Sequence, residues 1–224
     1  MLEIVLDTET TGLSVIEKHR VVEIGCVELN NQIPTGKIFH EYLNPERLVS
    51  EAAFKVHGYS NEFLSKQKIF SEIADKFLNF IRDKTLIIHN APFDLAFLNY
   101  ELRKAKYPVI DKKKVIDTLE ISRQKFPGSQ NSLDALCKRF NIDNSKREKH
   151  TALIDCQLLK EVYINLIDQK EPKLNLENSN FIDNKFKSTK IKNNKKNKVI
   201  KISSIELESH KKFLKSSLPK NYFS

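Results

Sequence analysis

Apolar residues recur along this chain in two rhythms, and each rhythm marks a kind of element. Near the start, LEIVLDTE (residues 2–9) runs Ile4, Val5 and Leu6 straight into two acids, a buried strand that ends in charge. VVEIGCVEL (21–29) and KIFHEYL (37–43) read as two further strands, and the polar link that begins at Asn30-Asn31 predicts an antiparallel connection. Apolar positions 70, 73, 74, 77, 78 and 81 then form a helical stripe. TLIIH (85–89) is a short buried strand with a helix directly behind it, Asn90 as its cap and Pro92 in its first turn. That helix carries Phe93, Leu95, Phe97, Leu98, Tyr100 and Leu102 around its axis, so burial on most sides is expected. KVID (114–117) is a strand end, and helices follow over 119–125, 132–140 and 151–167.

An antiparallel meander followed by strand–helix alternation predicts an α/β domain with a mixed central sheet and helices on its faces. Beyond Asp168 the rhythm stops. Residues 169–204 are rich in Lys and Asn and read as a flexible linker. Ile205, Leu207, Phe213, Leu214 and Leu218 then form a short helix-like cluster. The expected organisation is a domain over 1–168, a linker over 169–204 and a tail segment over 205–224. Alone, so short a segment is expected to lack order, because helices under about 12–15 residues are marginal in isolation.

Charge sharpens this division. Residues 169–224 hold 14 Lys/Arg against 5 Asp/Glu, which accounts for the whole net charge of +9 and leaves 1–168 electroneutral. Sequence-independent affinity for nucleic acid comes mainly from Lys/Arg–phosphate contacts, so the domain itself is expected to grip such a polymer weakly. The Lys-rich stretch 185–201 fits either added nonspecific attraction or a solvated linker. No apolar run reaches membrane-spanning length, and no basic region precedes the apolar start, so a cytoplasmic chain without a signal peptide is expected. Cys26, Cys137 and Cys156 form no metal-type pair and read as buried thiols.

The candidate chemistry lies in acids at the ends of elements. Asp7 and Glu9 project from one strand face roughly 7 Å apart. Two such carboxylates repel each other and resist desolvation, so a cation must compensate them or water must reach them. The small-residue turn Thr10-Thr11-Gly12 behind them offers a ligand close approach to the backbone. Asp94 falls in the first turn of a helix, where the macrodipole also favours an acid. Asp155 edges onto the apolar face of the last helix, which demands a salt bridge, a hydrogen bond or a metal. His150 lies five residues earlier, about 140° away on a continuous helix, and converges with Asp155 only from a loop entering that helix. Carboxylates without cysteine partners suit hard cations such as Mg²⁺ or Mn²⁺.

In order, DTETTG (7–12), HNAPFD (89–94) and HTALID (150–155) resemble the three motifs of the DEDDh 3′→5′ exonuclease superfamily, which has an RNase H-like fold. The resemblance spans about 150 residues and implies a mixed five-stranded sheet flanked by helices, followed by a flexible C-terminal tail. It implies two divalent ions, Mg²⁺ or Mn²⁺, with Asp7, Glu9 and Asp155 on the first, Asp7 bridging to the second and Asp94 supporting the second through water. His150 becomes the base for the attacking water, and imidazoles ordinarily ionise near pH ~6.5. Besides Asp7, Glu9 and Asp155, the substrate contacts implied are Thr8 and Leu13 on the terminal nucleotide, with His57 and Phe93 at its sugar or base. PERLVSEAAFKVHGYS (45–60) resembles the region carrying the family's Val-His-Gly element. Ala52 stands where some members offer an acid, so only a backbone contact is available there.

Within the superfamily the chain is most similar to members that proofread as subunits of a replicative polymerase. ELESHKKFL (206–214) resembles the segment with which those members dock onto the polymerase catalytic subunit. The partners implied are a DNA 3′ end and that subunit, with 169–176 the candidate for a sliding-clamp contact. The alternative is a free-standing exoribonuclease of the oligoribonuclease or RNase T type.

Overall fold

Alternation along the first strand decides where everything else packs. In the computed structural model, which describes residues 1–145, 147, 149–167 and 203–216, β1 (Leu2–Thr10) is the central strand of five. It pairs antiparallel with β2 (Val21–Asn30) and parallel with β4 (Thr85–Ile88). β3 (Ile33–Tyr42) extends the antiparallel side and β5 (Val115–Asp117) the parallel side, giving the order β3-β2-β1-β4-β5. Asn31 and Gln32 join β2 to β3 with φ of 49° and 65°, the doubly left-handed link that suits a twisted hairpin. β3 therefore begins four residues before the expected strand.

Ile4 and Leu6 point to one face, where they meet Phe77 of α3 (Phe70–Ile81) and Leu98 of α4 (Ala91–Lys104). Val5 points to the other and meets Leu136 of α6 (Leu133–Arg139) and Leu159 of α7 (Ala152–Leu166). Each such fully buried side chain contributes about 1.5–3 kcal/mol, so both faces hold β1 in place. Asp7 and Glu9 continue the Val5 face toward α7, and Thr8 continues the Leu6 face toward α4. The three cysteines are buried and free, as their apolar surroundings implied.

Two short helices, α1 (Glu51–His57) and α2 (Asn61–Ser65), were not legible as stripes. Local capping makes them instead: Ser50 Oγ accepts from Ala53 N at 3.2 Å and Ser60 Oγ from Phe63 N at 3.1 Å. Asn90 holds the N-cap position of α4 but makes no side-chain cap; it is left-handed, φ 68°, and its N–H donates to Asp117 Oδ1 at 3.0 Å. Asn tolerates that conformation better than most residues. α5 (Thr118–Lys125) follows β5 without a break.

The turn after β1 closes on itself. Where a Cβ on Gly12 would stand, the His19 imidazole lies within 2.4–2.5 Å, so the space expected for a ligand is filled by the chain. Arg20 fastens this turn to α4: its Nε and Nη2 donate to Glu101 at 2.5 and 2.7 Å, and both side chains are buried.

The chain divides into two units, residues 1–174 and 175–224. Nearly all of the linker expected over 169–204, including 169–176 and 185–201, lies outside the described residues. In the second unit, α8 (Ser204–Ser216) is helical within this chain, where no order had been expected of the segment alone. A reciprocal cap accounts for it: Ser203 N donates to Glu206 Oε2 at 3.0 Å, and Glu206 N donates to Ser203 Oγ at 3.3 Å. Among the described residues no helix is long and apolar enough to cross a membrane.

Candidate active site

α7 begins directly on the sheet because β2 offers no side chain beneath it. A Cβ on Gly25 would stand 2.5 Å from the Ala152 carbonyl carbon, so only glycine admits this approach. Gly25 pairs with Asp7 across the β1–β2 ladder, which brings the first turn of α7 over the strand acids. Glu23, fully buried two residues earlier on β2, caps that turn by accepting from Ala152 N at 2.9 Å. It also accepts from the Tyr59 hydroxyl at 2.8 Å and pairs with His40 Nε2 at 2.7 Å.

His150 sits just outside α7, on the entering loop, the placement that convergence with Asp155 requires. Its N–H donates to Val56 O at 3.2 Å, and Lys149 Nζ donates to Lys55 O at 3.0 Å, so α1 pins this end of the loop. His150 Nδ1 stands 3.4 Å from Asp155 Oδ2. One ligand atom each from Glu9, His150 and Asp155 lies within 4.8 Å of the others. From the opposite side Asp94, in the first turn of α4, receives the Thr8 hydroxyl at 2.7 Å.

A cleft of about 730 Å³ brings these groups together. Asp7, Thr8, Glu9, Phe93, Asp94, His150 and Asp155 all line it. His89, Arg123 and Asn131 line it too, although the sequence reading gave them no role. Leu13, Ala52 and His57 do not. Leu13 is exposed, Ala52 lies on the outer side of α1, and His57 is buried with its ring stacked 4.8 Å from that of Tyr59. His57 Nδ1 accepts from Tyr59 N at 3.0 Å, and burial lowers its pKa.

The acids differ in how their charge is met. Burial pushes Asp7 well above the usual carboxylate range, and the charges of Asp94, Glu9 and Asp155 push it further. Burial, then Asp155 and Glu23, raise Glu9 to about 8. Burial raises Asp94 to about 7, although the Thr8 hydroxyl pulls the other way. Asp155 is also raised by burial, but the neighbouring His150 imidazole and Arg147 guanidinium outweigh that and hold it below its ordinary value. Arg147 was not anticipated: it was one cation in the polar loop DNSKREK, which nothing in the pattern distinguished. Oxygen-only donors whose negative charge the fold leaves largely unmet fit a hard divalent cation.

The exonuclease family model matches residues 4–163, and the chain belongs to that family. Its relatives narrow the class. DNA polymerase III subunit epsilon of Rickettsia felis is 46% identical over 221 residues, 96% of each chain. That of Escherichia coli K12 is 50% identical over 169 residues, 72% of this chain and 70% of the other. Among solved structures, the nuclease domain of 3′hExo, a DEDDh family member bound to rAMP, superposes with a TM-score of 0.66 at 18% identity. It covers 75% of this chain and 92% of that one, and shares the expected fold of a mixed sheet flanked by helices.

Proposed function

We propose that this chain is the proofreading 3′→5′ exonuclease of a replicative DNA polymerase III, removing mispaired 3′-terminal nucleotides as 5′-monophosphates. What carries the reading is the convergence of four carboxylates and His150 in one cleft, in a chain whose likeness to epsilon subunits runs nearly its full length. Asp7, Glu9 and Asp155 would hold one Mg²⁺ or Mn²⁺, with Asp7 shared with a second ion that Asp94 supports through water. Such ions supply charge stabilisation to the attacking and leaving oxygens of an in-line displacement.

The protein's own groups do the rest. His150, on its pinned loop, takes a proton as a water oxygen bonds to phosphorus. The bond from phosphorus to the 3′ oxygen breaks, and that oxygen is protonated as the new chain end. Phe93, at the cleft wall, offers its ring to the terminal sugar or base. Thr8 keeps Asp94 oriented, while Leu13, Ala52 and His57 lie outside the cleft and would meet the nucleotide only beyond its wall. Ile205, Leu207 and Phe213 of α8 are exposed apolar residues that suit docking in a groove of the polymerase catalytic subunit.

The test is excision of a mispaired DNA primer and of a short oligoribonucleotide, each with Mn²⁺ and with EDTA. Metal-dependent release of deoxynucleoside monophosphates from the primer, with the ribonucleotide cut far more slowly, is expected. The reverse preference points to a free-standing exoribonuclease. Co-purification of the polymerase subunit with the full chain, lost on truncation after Asp168, checks the docking role.

A further inference from the structure

One guanidinium holds three groups of the site at once. Arg147 Nε and Nη2 donate to Asp155 Oδ1 and Oδ2, each at 2.6 Å. Nη2 also reaches His150 Nδ1 at 2.7 Å, and Nη1 reaches Asp134 Oδ1 at 2.5 Å. The side chain is only 6% exposed, so these charge-assisted bonds form away from bulk water, where they are strong. Arginine does not give up its proton in proteins, so His150 Nδ1 must be the acceptor. The lone pair that a base needs there is therefore occupied. Both oxygens of Asp155 are occupied as well. A divalent ion held by Asp155 and Glu9 has to compete with Arg147 for the same carboxylate.

We infer that Arg147 is a displaceable internal cation: seated on Asp155 and His150 it withholds both, and metal binding shifts it onto Asp134, releasing ligand and base together. Asp134 is suited to receive it. Its side chain, on α6 at the cleft edge, is 56% exposed, already holds Nη1, and is steadied by Asn144 Nδ2 at 3.2 Å. Arg147 thus acts as a positioning residue through Asp155 and His150. This inference rests on the metal-site reading above.

The experiment is calorimetric titration of Mn²⁺ into the full chain as wild type, Arg147→Met and Asp134→Asn, with native fold checked by circular dichroism. Coupling between sites typically changes affinity about 5–150-fold. Arg147→Met is expected to bind Mn²⁺ at least ~5-fold more tightly, because its competitor is gone. Asp134→Asn is expected to bind it more weakly, because the outer seat is gone. A purely structural arginine would give the opposite sign, since its loss would loosen the site. Unchanged or weaker binding by Arg147→Met overturns the inference. Should that variant not fold, Asp134→Asn decides alone, and unchanged or tighter binding overturns it. A wild-type chain that takes up no Mn²⁺ overturns the metal-site reading itself, and the inference with it.

Discussion

Among the described residues of the nuclease domain, two buried charge clusters differ in whether the protein balances them. Arg20 and Glu101 meet fork to fork, each satisfying the other, and tie the turn after β1 to α4. Asp7, Glu9 and Asp94 meet no such cation, and their pKa values rise instead. Burial of charge is costly in both places. The first cluster is closed and therefore structural. The second is open, and its imbalance is the physical basis of the divalent-metal site proposed above.

The sharpest way to break this contrast is to neutralise the open cluster. Asp7→Asn should abolish excision of a mispaired primer, a loss beyond the ~10²–10⁴-fold that one general base contributes, while the circular dichroism of the folded chain stays unchanged. Retention of near-normal excision would remove Asp7 from the metal site. Next in size is His150→Ala, which should slow excision by about 10²–10⁴-fold. Since the imidazole is proposed as a base rather than a ligand, Mn²⁺ affinity should change little; a large loss of affinity would make it a ligand instead.

Opening the closed cluster should do the reverse. Glu101→Ala leaves Arg20 buried without its main partner and should cost about 3–5 kcal/mol in denaturant unfolding. Excision per folded molecule should be unchanged, and a fall in that rate would show that the two clusters are not separable. Gly25→Ala bridges them in kind, because it is a packing change with a chemical consequence. Overpacking of this sort costs about 1–3 kcal/mol. It also lifts the first turn of α7 from the strand, and a misplacement near 1 Å can cost about 10²-fold in rate. Both losses should appear together in a melt and an excision assay.

The open cluster was far more legible in the sequence than the parts that aim it. Asp7 and Glu9 stood out because alternation along a strand puts them on one face, and Asp155 because an acid on an apolar helix face demands a partner. Glu23 carried a comparable signal, an acid inside the apolar run VVEIGCVEL, and went unread; its work as a cap on α7 depends on contacts 129 residues apart. Arg147 carried none, since a lone arginine in a charged loop looks the same whether solvated or buried. The helical pattern of α8 was legible in its apolar positions, but its cap went unread, although Ser203 and Glu206 have the spacing of a capping box. α1 and α2 are too short to show a stripe at all.

Stability against pH tests the imbalance itself. An acid whose pKa is raised by folding keeps a proton that the unfolded chain has lost. Its contribution is fully present below the unfolded pKa, near ~4, and disappears as pH rises through the folded value. For Asp94 and Glu9 those folded values are about 7 and about 8. The decisive measurement is therefore the melting temperature of the full chain in EDTA between pH 5 and 8, for wild type and Asp7→Asn, repeated with Mn²⁺. In EDTA the wild type should lose on the order of 5 °C across that range, since about 1 kcal/mol moves Tm by about 2–4 °C at this size. Mn²⁺ should restore it, and Asp7→Asn should melt higher than wild type in EDTA at pH 8 and gain little from the metal. An Asp7→Asn chain that melts lower than wild type in EDTA, or a wild type indifferent to Mn²⁺, would contradict the account.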